Sequence, residues 1–236
     1  MPDNSTSLNK FISQTGICSR READKWIDAA RIKINGTTAV KGNRVFDGDK
    51  VTLDGKPIGA TPKQVYIALN KPPGITCTTD LKDKSNIIKF VNYPKRIFPI
   101  GRLDKPSTGL ILLTNDGDIV NDILRVENHH EKDYIVTVDR PITSKFLHDM
   151  SSGVPILGTR TKKCKIRKLG YNKFSIILTQ GLNRQIRRMC EFFDYRVVTL
   201  KRVRIMNIEL GNLPSGKWRD LTDAELSTLK KQIGKK

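Results

Sequence analysis

Hydrophobic and polar positions follow two different periods along this 236-residue chain, and the changes of period mark its parts. Leu8, Phe11 and Ile12 fall on one side of a short helix predicted over Leu8 to Gln14. Ser19-Arg-Arg-Glu22 reads as a capping box, in which Ser19 caps and Glu22 reaches back. The helix it opens carries Ala23, Trp26, Ile27 and Ala30 at i, i+3, i+4 and i+7. The period then shortens. Ile32-Lys-Ile34 runs into Asn35-Gly36, and Lys50-Val-Thr-Leu53 runs into Asp54-Gly55; both dipeptides are strong hairpin signals. The front of the chain is therefore two helices and a small strand-and-turn region ending near Asp54. Gly55 to Lys63, with two prolines and two glycines, reads as a linker.

Beyond it, strands and helices alternate. Val65 to Leu69 is apolar enough for a buried strand, and Asn70-Lys-Pro-Pro-Gly74 sets a rigid turn after it. Leu110-Ile-Leu-Leu113 reads as a central strand. A helix is expected over Asp118 to Arg125 with Ile119, Val120, Ile123 and Leu124 inward. Strands follow at Tyr134 to Val138 and Phe174 to Leu178. The next helix buries Ile186, Met189, Cys190 and Phe193, which puts Arg184, Arg187 and Arg188 together on another face. Thr222-Asp-Ala-Glu225 is a second capping box, with Leu221 and Leu226 as its staple.

Charge sharpens this outline. The chain has 43 Lys and Arg against 24 Asp and Glu, a net +19. Residues 1–60 and 61–160 each carry +3, whereas residues 161–236 hold 19 basic and 6 acidic side chains. The excess is clustered in Thr161-Lys-Lys-Cys-Lys-Ile-Arg-Lys168, Asn183-Arg-Gln-Ile-Arg-Arg188 and Lys201-Arg-Val-Arg204. Clustered cations point to a polyanion, RNA or DNA before a membrane surface. No apolar run approaches the ~20 residues of a membrane span. Met1 to Thr6 is polar and acidic, unlike a signal peptide. Cys18, Cys77, Cys164 and Cys190 lie far apart, and the three histidines have no ligand spacing. We expect reduced cytoplasmic thiols, no zinc site and no disulfide framework.

Candidate chemistry converges on a few segments. Asp104, in Ile100-Gly-Arg-Leu-Asp-Lys-Pro-Ser-Thr-Gly109, sits on a loop just before a core strand, where a rigid scaffold can present a reactive group. A lone loop aspartate is more often a turn-former. Tyr134 is either a core aromatic or a ring for stacking on a base. Three arginines on one helix face repel one another unless an acidic partner or a phosphate relieves them.

Two resemblances organise these segments. Leu8-Asn-Lys-Phe-Ile, Gly16-Ile-Cys-Ser-Arg-Arg-Glu-Ala-Asp24, Ile34-Asn-Gly36 and Gly48-Asp-Lys-Val51 resemble the S4 RNA-binding domain. Asn70-Lys-Pro-Pro-Gly74, Gly101-Arg-Leu-Asp-Lys-Pro-Ser-Thr-Gly-Leu110, Lys132-Asp-Tyr-Ile-Val136 and Gly181-Leu-Asn-Arg-Gln-Ile-Arg-Arg-Met189 resemble, in order, four motifs of the RsuA branch of pseudouridine synthases. Phe98-Pro-Ile-Gly-Arg-Leu-Asp104, Gly153-Val-Pro-Ile-Leu-Gly158, Thr161-Lys-Lys-Cys-Lys165 and Trp218-Arg-Asp-Leu-Thr-Asp223 look closest to a branch member acting on 23S ribosomal RNA.

The resemblance implies an α+β fold: an S4 domain over residues 1–60, then a catalytic domain over 61–236 with a mainly antiparallel mixed sheet and a central cleft. It implies isomerisation of uridine to pseudouridine in 23S rRNA, without metal or cofactor, by a monomer that flips the target base out of structured RNA. Asp104 would be the nucleophile, Arg187 its partner, and Tyr134 the ring stacked on uracil. Arg102 would fill the space left by the flipped nucleotide, and Leu178 would lie under the base. Lys71, Arg184 and Arg188 would support phosphate or the active site, and Lys10, Arg20, Arg21, Lys201, Arg202 and Arg204 would hold RNA. Pro106 departs from the branch, which usually has Asp or Asn there; a stiffer loop is expected. The chain ends at Lys236, where relatives of this kind can carry a long basic tail. A synthase acting on tRNA or small-subunit rRNA, and a non-catalytic RNA-binding protein, are the alternatives. A water-using glycosidase would want two paired carboxylates, and only one lies in a motif.

Overall fold

The computed structural model describes residues 4–125 and 129–234. Met1 to Asp3, part of the stretch read as unlike a signal peptide, and Lys236 lie outside them. The chain forms two compact units. One holds residues up to Val65 together with Tyr93–Arg96 and Asn115–Gly117, and the other holds the remainder.

The first unit contains β1 (Thr6–Ser7), α1 (Leu8–Gln14), α2 (Arg20–Asp28), β2 (Ile32–Ile34), β3 (Thr37–Thr38), β4 (Arg44–Val45), β5 (Val51–Leu53) and β6 (Lys56–Ile58). Ser19 Oγ accepts the Glu22 N–H at 3.1 Å and starts α2. Glu22 does not reach back as expected; its carboxylate lies 3.3 Å from Lys25 Nζ. The helix also stops earlier than its apolar stripe suggests. Ala30 turns left-handed at φ +54, its N–H bonds Ile27 O, and Arg31 N–H bonds Trp26 O. This double bond closes the helix end and leaves Ala30 exposed rather than in the core. Leu8, Ile12, Ala23 and Ile27 bury their faces on Ile32, Val45 and Val51. Each large aliphatic side chain buried there contributes about 1.5–3 kcal/mol. Asn35 and Gly36 have φ +51 and +85, and Asp54 and Gly55 have +50 and +80. Positive φ at both centres is the hairpin geometry that follows strand twist. The second of these turns feeds β6, so the first part of the expected linker is a strand in the antiparallel sheet β3-β2-β5-β6, and irregular chain begins at Gly59.

The second unit contains β7 (Tyr66–Lys71), α3 (Ile87–Val91), β8 (Phe98–Ile100), β9 (Thr108–Thr114), α4 (Asp118–Leu124), β10 (Lys132–Val138) and α5 (Ser144–Ser151). It continues with β11 (Pro155–Ile156), β12 (Thr159–Arg160), β13 (Lys165–Lys168), β14 (Lys173–Leu178), α6 (Gln185–Glu191), β15 (Val197–Ile205), β16 (Ile208–Glu209), β17 (Trp218–Asp220) and α7 (Asp223–Gln232). Its main sheet runs β13-β14-β10-β15-β9-β7-β17, with β16 on β15 and β8 on β9. All pairs are antiparallel except β15 with β9. The fold is thus the α+β arrangement expected. Strand β7 runs two residues beyond its predicted end, because Asn70 and Lys71 still pair with Leu110 and Gly109. Ile119 and Ile123 of α4 and Leu229 of α7 cover one side of β7 and β9. Leu124, expected inward, is 37% exposed. Phe193 falls just outside α6, where its ring packs edge-on against Phe146 of α5 at 6.0 Å. The Thr222–Glu225 capping box forms in full, and Leu221 and Leu226 pack on the same core as Leu229. Among the described residues no helix is long and apolar enough to cross a membrane. The four cysteines are free, and burial pushes the Cys190 thiol up to about 12.

One edge of β9 changes partner along its length. Thr108 and Gly109 pair with β15, whereas Leu112 to Thr114 pair with β8. The sheet splits between them, and Arg202 Nε donates to the Leu110 carbonyl at 2.7 Å in the gap. The approach of β15 requires Gly109. Its φ is +97, and a Cβ there would overlap the backbone of Arg202. Gly109→Ala should therefore lower stability by about 3 kcal/mol or more. A fall in melting temperature of roughly 6 °C or more measures this, at the ~2–4 °C per kcal/mol usual for a chain of this size. An unshifted melt would mean that β15 can move away at no cost.

Candidate active site

The sheet split opens beside a cavity of about 590 Å3 within the second unit. Its floor is one face of three strands. Lys132 and Tyr134 of β10, two residues apart, share that face, and the register sets Leu178 of β14 and Ile205 of β15 beside Lys132 and Arg202 beside Tyr134. The walls are the β8–β9 loop from Gly101 to Ser107, Ile123 and Leu124 of α4, and the segment from Gln180 into α6. Leu124 is exposed because it borders this opening.

The β8–β9 loop is a tight turn, with Ser107 N–H donating to Asp104 O at 3.0 Å. It points Asp104 into the cavity, with its side chain 29% exposed. Arg187 Nε lies 3.5 Å from Asp104 Oδ2, and the arginine side chain is only 11% exposed. Its two terminal nitrogens are held elsewhere, one by Val197 O at 3.3 Å and one by Ser107 Oγ at 3.2 Å. At Nε the charges attract without a hydrogen bond, and among the described residues the Asp104 carboxylate accepts none. The cation neutralises the carboxylate while leaving its lone pairs free, a disposition suited to a nucleophile.

The three arginines do not share a face as expected. Arg187 turns into the core. Arg184 starts α6 in a left-handed conformation, φ +50, and lines the cavity. Arg188 is exposed and donates to Asn183 O at 3.1 Å. Inward rotation is affordable only because Asp104, Ser107 and the Val197 carbonyl meet the guanidinium.

Lys71 is also not where a phosphate could reach it. It is completely buried, and Nζ donates to Pro72 O, Ile75 O and Lys105 O at 2.9, 2.8 and 3.2 Å. Gly74 N–H bonds the same Lys105 carbonyl at 2.9 Å. Burial holds the Lys71 amine below the usual lysine range. The first motif therefore clamps the loop that carries Asp104 from behind.

The cluster at residues 201–204 divides across the sheet. Lys201 is exposed and Arg204 pairs with Glu131 at 2.9 Å, while Arg202 is buried in the cavity floor with its guanidinium 5.9 Å from the Tyr134 ring. Arg102 stands exposed at the cavity's rim. Lys10, Arg20 and Arg21 lie on the helices of the first unit, the latter two exposed. Ser107 and Gln180 were not foreseen. Ser107 stands three residues after the aspartate, but its role needs the position of Arg187, which only the fold supplies. Gln180 Nε2 and one terminal nitrogen of Arg202 are buried among cavity-lining residues without a hydrogen-bond partner, so each is a donor that a ligand carbonyl could satisfy. Among the described residues no group of three His, Cys, Asp or Glu is placed to hold a metal ion.

A lone aspartate with a buried arginine, an aromatic ring and unpaired donors around one cavity defines a class of RNA-modifying enzyme. Residues 65–192 match the RNA pseudouridylate synthase family and residues 6–51 the S4 domain. The chain belongs to that family, as its motifs led us to expect, and is a pseudouridine synthase with an S4 RNA-binding domain. It is 57% identical to the Dual-specificity RNA pseudouridine synthase RluF of Salmonella typhi, over 99% of this chain and 81% of that protein. It is 32% identical to the Ribosomal large subunit pseudouridine synthase B of Bacillus subtilis, over 94% and 95%. A solved structure, the crystal structure of a pseudouridylate synthase, superposes with a TM-score of 0.71 at 30% identity, over 94% of this chain and 99% of that one.

Proposed function

We propose that this enzyme isomerises a specific uridine in 23S ribosomal RNA, in the cytoplasm and as a monomer, with Asp104 as the catalytic nucleophile. The observation that carries the reading is the Asp104 carboxylate, 3.5 Å from a buried Arg187 and not hydrogen-bonded, in a cavity floored by Tyr134. The printed names of the Salmonella and Bacillus relatives support the RNA class. A uridine stacked inside folded RNA cannot reach such a cavity, so the base is flipped out. Tyr134 and Leu178 then contact its faces, and Gln180 and Arg202 donate to its carbonyl oxygens. Arg102, at the rim, fills the vacated stack, with Arg184 and Arg188 near the phosphates. Arg20, Arg21 and Lys10 of the S4 domain, with Lys201, hold the surrounding RNA. Asp104 attacks the detached or detaching nucleoside, and the base rejoins the ribose through carbon. The "dual-specificity" of the Salmonella relative supports a second substrate, for which tRNA is our candidate.

Mapping pseudouridines by carbodiimide and primer extension, in rRNA and tRNA from a strain lacking the gene, tests the target. We expect one 23S position to lose its modification and a plasmid copy to restore it. Unchanged 23S rRNA would sink this assignment. RNA affinity should also fall steeply with salt, with a log–log slope of about −0.7 to −0.9 per phosphate neutralised. A flat response would remove the basic last third from the RNA contact.

A further inference from the structure

Lys132 has no part in the chemistry described so far. Yet it lies on the cavity floor beside Tyr134, half-buried at the start of β10. Its only printed bond is from Nζ to the His130 carbonyl, at a long 3.3 Å. No carboxylate pairs with it. Charged or titratable groups facing the same cavity are Arg202 of β15, Tyr134 of its own strand, Arg102, Asp104 and Lys105 of the β8–β9 loop, and Arg184 before α6. His130 precedes it in the chain. A buried ammonium without a counterion is a costly way to build a strand end.

We propose that Lys132 is the catalytic residue that moves the proton on the substrate base, a proposal that rests on the reading of the cavity as a uridine site. Uridine carries hydrogen on C5 and ribose on N1; pseudouridine carries ribose on C5 and hydrogen on N1. Whatever the route of ribose transfer, once the C1′–C5 bond has formed, C5 bears both hydrogen and ribose. The neutral Lys132 amine takes that hydrogen as a proton. The C5–H bond breaks, an N–H bond forms, and the electron pair restores the ring's double bond, leaving negative charge on N1. The new ammonium then returns one proton to N1. The lysine ends as it began, and no oxidant, reductant or third molecule is consumed.

The other groups around the cavity are poorly suited to this step. Arginine keeps its proton, Asp104 is engaged with the nucleoside, and the Tyr134 ring is engaged with the base face. Lysine is a base only when partly neutral, and here burial, with the Arg202 charge adding to it, pushes the amine down to about 8. Roughly a quarter of the molecules would then be neutral at pH 7.5, against about a thousandth at the ordinary lysine value.

The test uses the full-length enzyme, 23S rRNA transcribed with C5-deuterated uridine, and Lys132→Met and Lys132→Arg. Both variants should slow turnover by about 100-fold or more, the scale of a lost general base. RNA affinity should be unchanged. The wild-type rate should rise with pH to a plateau near 8, and this limb should vanish in Lys132→Met. Added methylamine should restore part of the Met variant's rate, and C5 deuteration should now slow it. The folded amine titrates below the unfolded one, so its charge costs stability at pH values below about 8. Lys132→Met should consequently melt no lower than wild type at pH 7. A Met variant at full rate, or a slow one with neither an isotope effect nor amine rescue, would overturn the proposal. Wild-type enzyme that leaves these transcripts and tRNA unmodified would instead overturn the underlying reading, and the same assay reports it before any variant is compared.

Discussion

Asp104→Asn should abolish pseudouridine formation while leaving RNA binding intact. The amide has the size of the carboxylate, and the loop holding it is fixed from behind by Lys71 and by the Gly74–Lys105 bond, so the cavity should keep its shape. What goes is the nucleophile. Removal of a nucleophile from a preformed site costs about 10^4-fold or more. Stability should fall by only about 1–2 kcal/mol, because the carboxylate is partly exposed and accepts no hydrogen bond, although Arg187 loses its counter-charge. Carbodiimide mapping of a 23S transcript, with binding measured in parallel, reads both effects. Full activity in the Asn variant would remove Asp104 from the chemistry.

Arg187 should be nearly as sensitive, and for two separable reasons. Its guanidinium spans Asp104, Ser107 Oγ and Val197 O. Lysine supplies the charge but only a compact ammonium, which cannot reach all three. Arg187→Lys should fold and lose roughly 100-fold or more in turnover, since a shift of about 1 Å in a catalytic group has that effect. Arg187→Met removes the charge and strands two polar partners. It should lose a further factor in rate and about 2–4 kcal/mol in stability. Turnover and thermal melts of the two variants, side by side, separate positioning from charge. If Arg187→Lys turned over at the wild-type rate, the three-way geometry would be irrelevant to catalysis.

How much of this was legible in the chain depends on the range of the interaction. The cap at Ser19, the turns at Asn35-Gly36 and Asp54-Gly55 and the box at Thr222 are local, and each formed where its residues predicted. Glu22 and Ala30 mark the limit even there. A competing lysine one turn along took the carboxylate, and a left-handed residue closed the helix one position before the apolar stripe ended. The motifs brought Asp104, Tyr134 and Arg187 to attention, and the fold brings these residues around one cavity. Helical spacing alone assigned Arg187 to an outer face with Arg184 and Arg188, because it could not register an aspartate 83 positions earlier in the chain. Lys71 was misread for the same reason. A lysine between a strand and two prolines looks like a surface cation until the carbonyls of Pro72, Ile75 and Lys105 are seen to surround its amine. Lys132 stood in a quoted motif without a role, since nothing in its neighbours along the chain shows that it lacks a counterion.

The two-residue parallel pairing of β15 with β9 bears on when this enzyme comes into being during translation. Synthesis runs from the N-terminus, so the S4 unit and the loop carrying Asp104 leave the ribosome well before α6 and β15. Until then the nucleophile has no cation, and the cavity has no Arg202 or Ile205 in its floor. The last strand to arrive in the middle of the sheet must insert between β10 and β9, a closure over a long stretch of chain that is intrinsically slow. A nascent chain on a translating ribosome, surrounded by ribosomal RNA, is therefore kept from acting on its surroundings by the order in which its own parts are made.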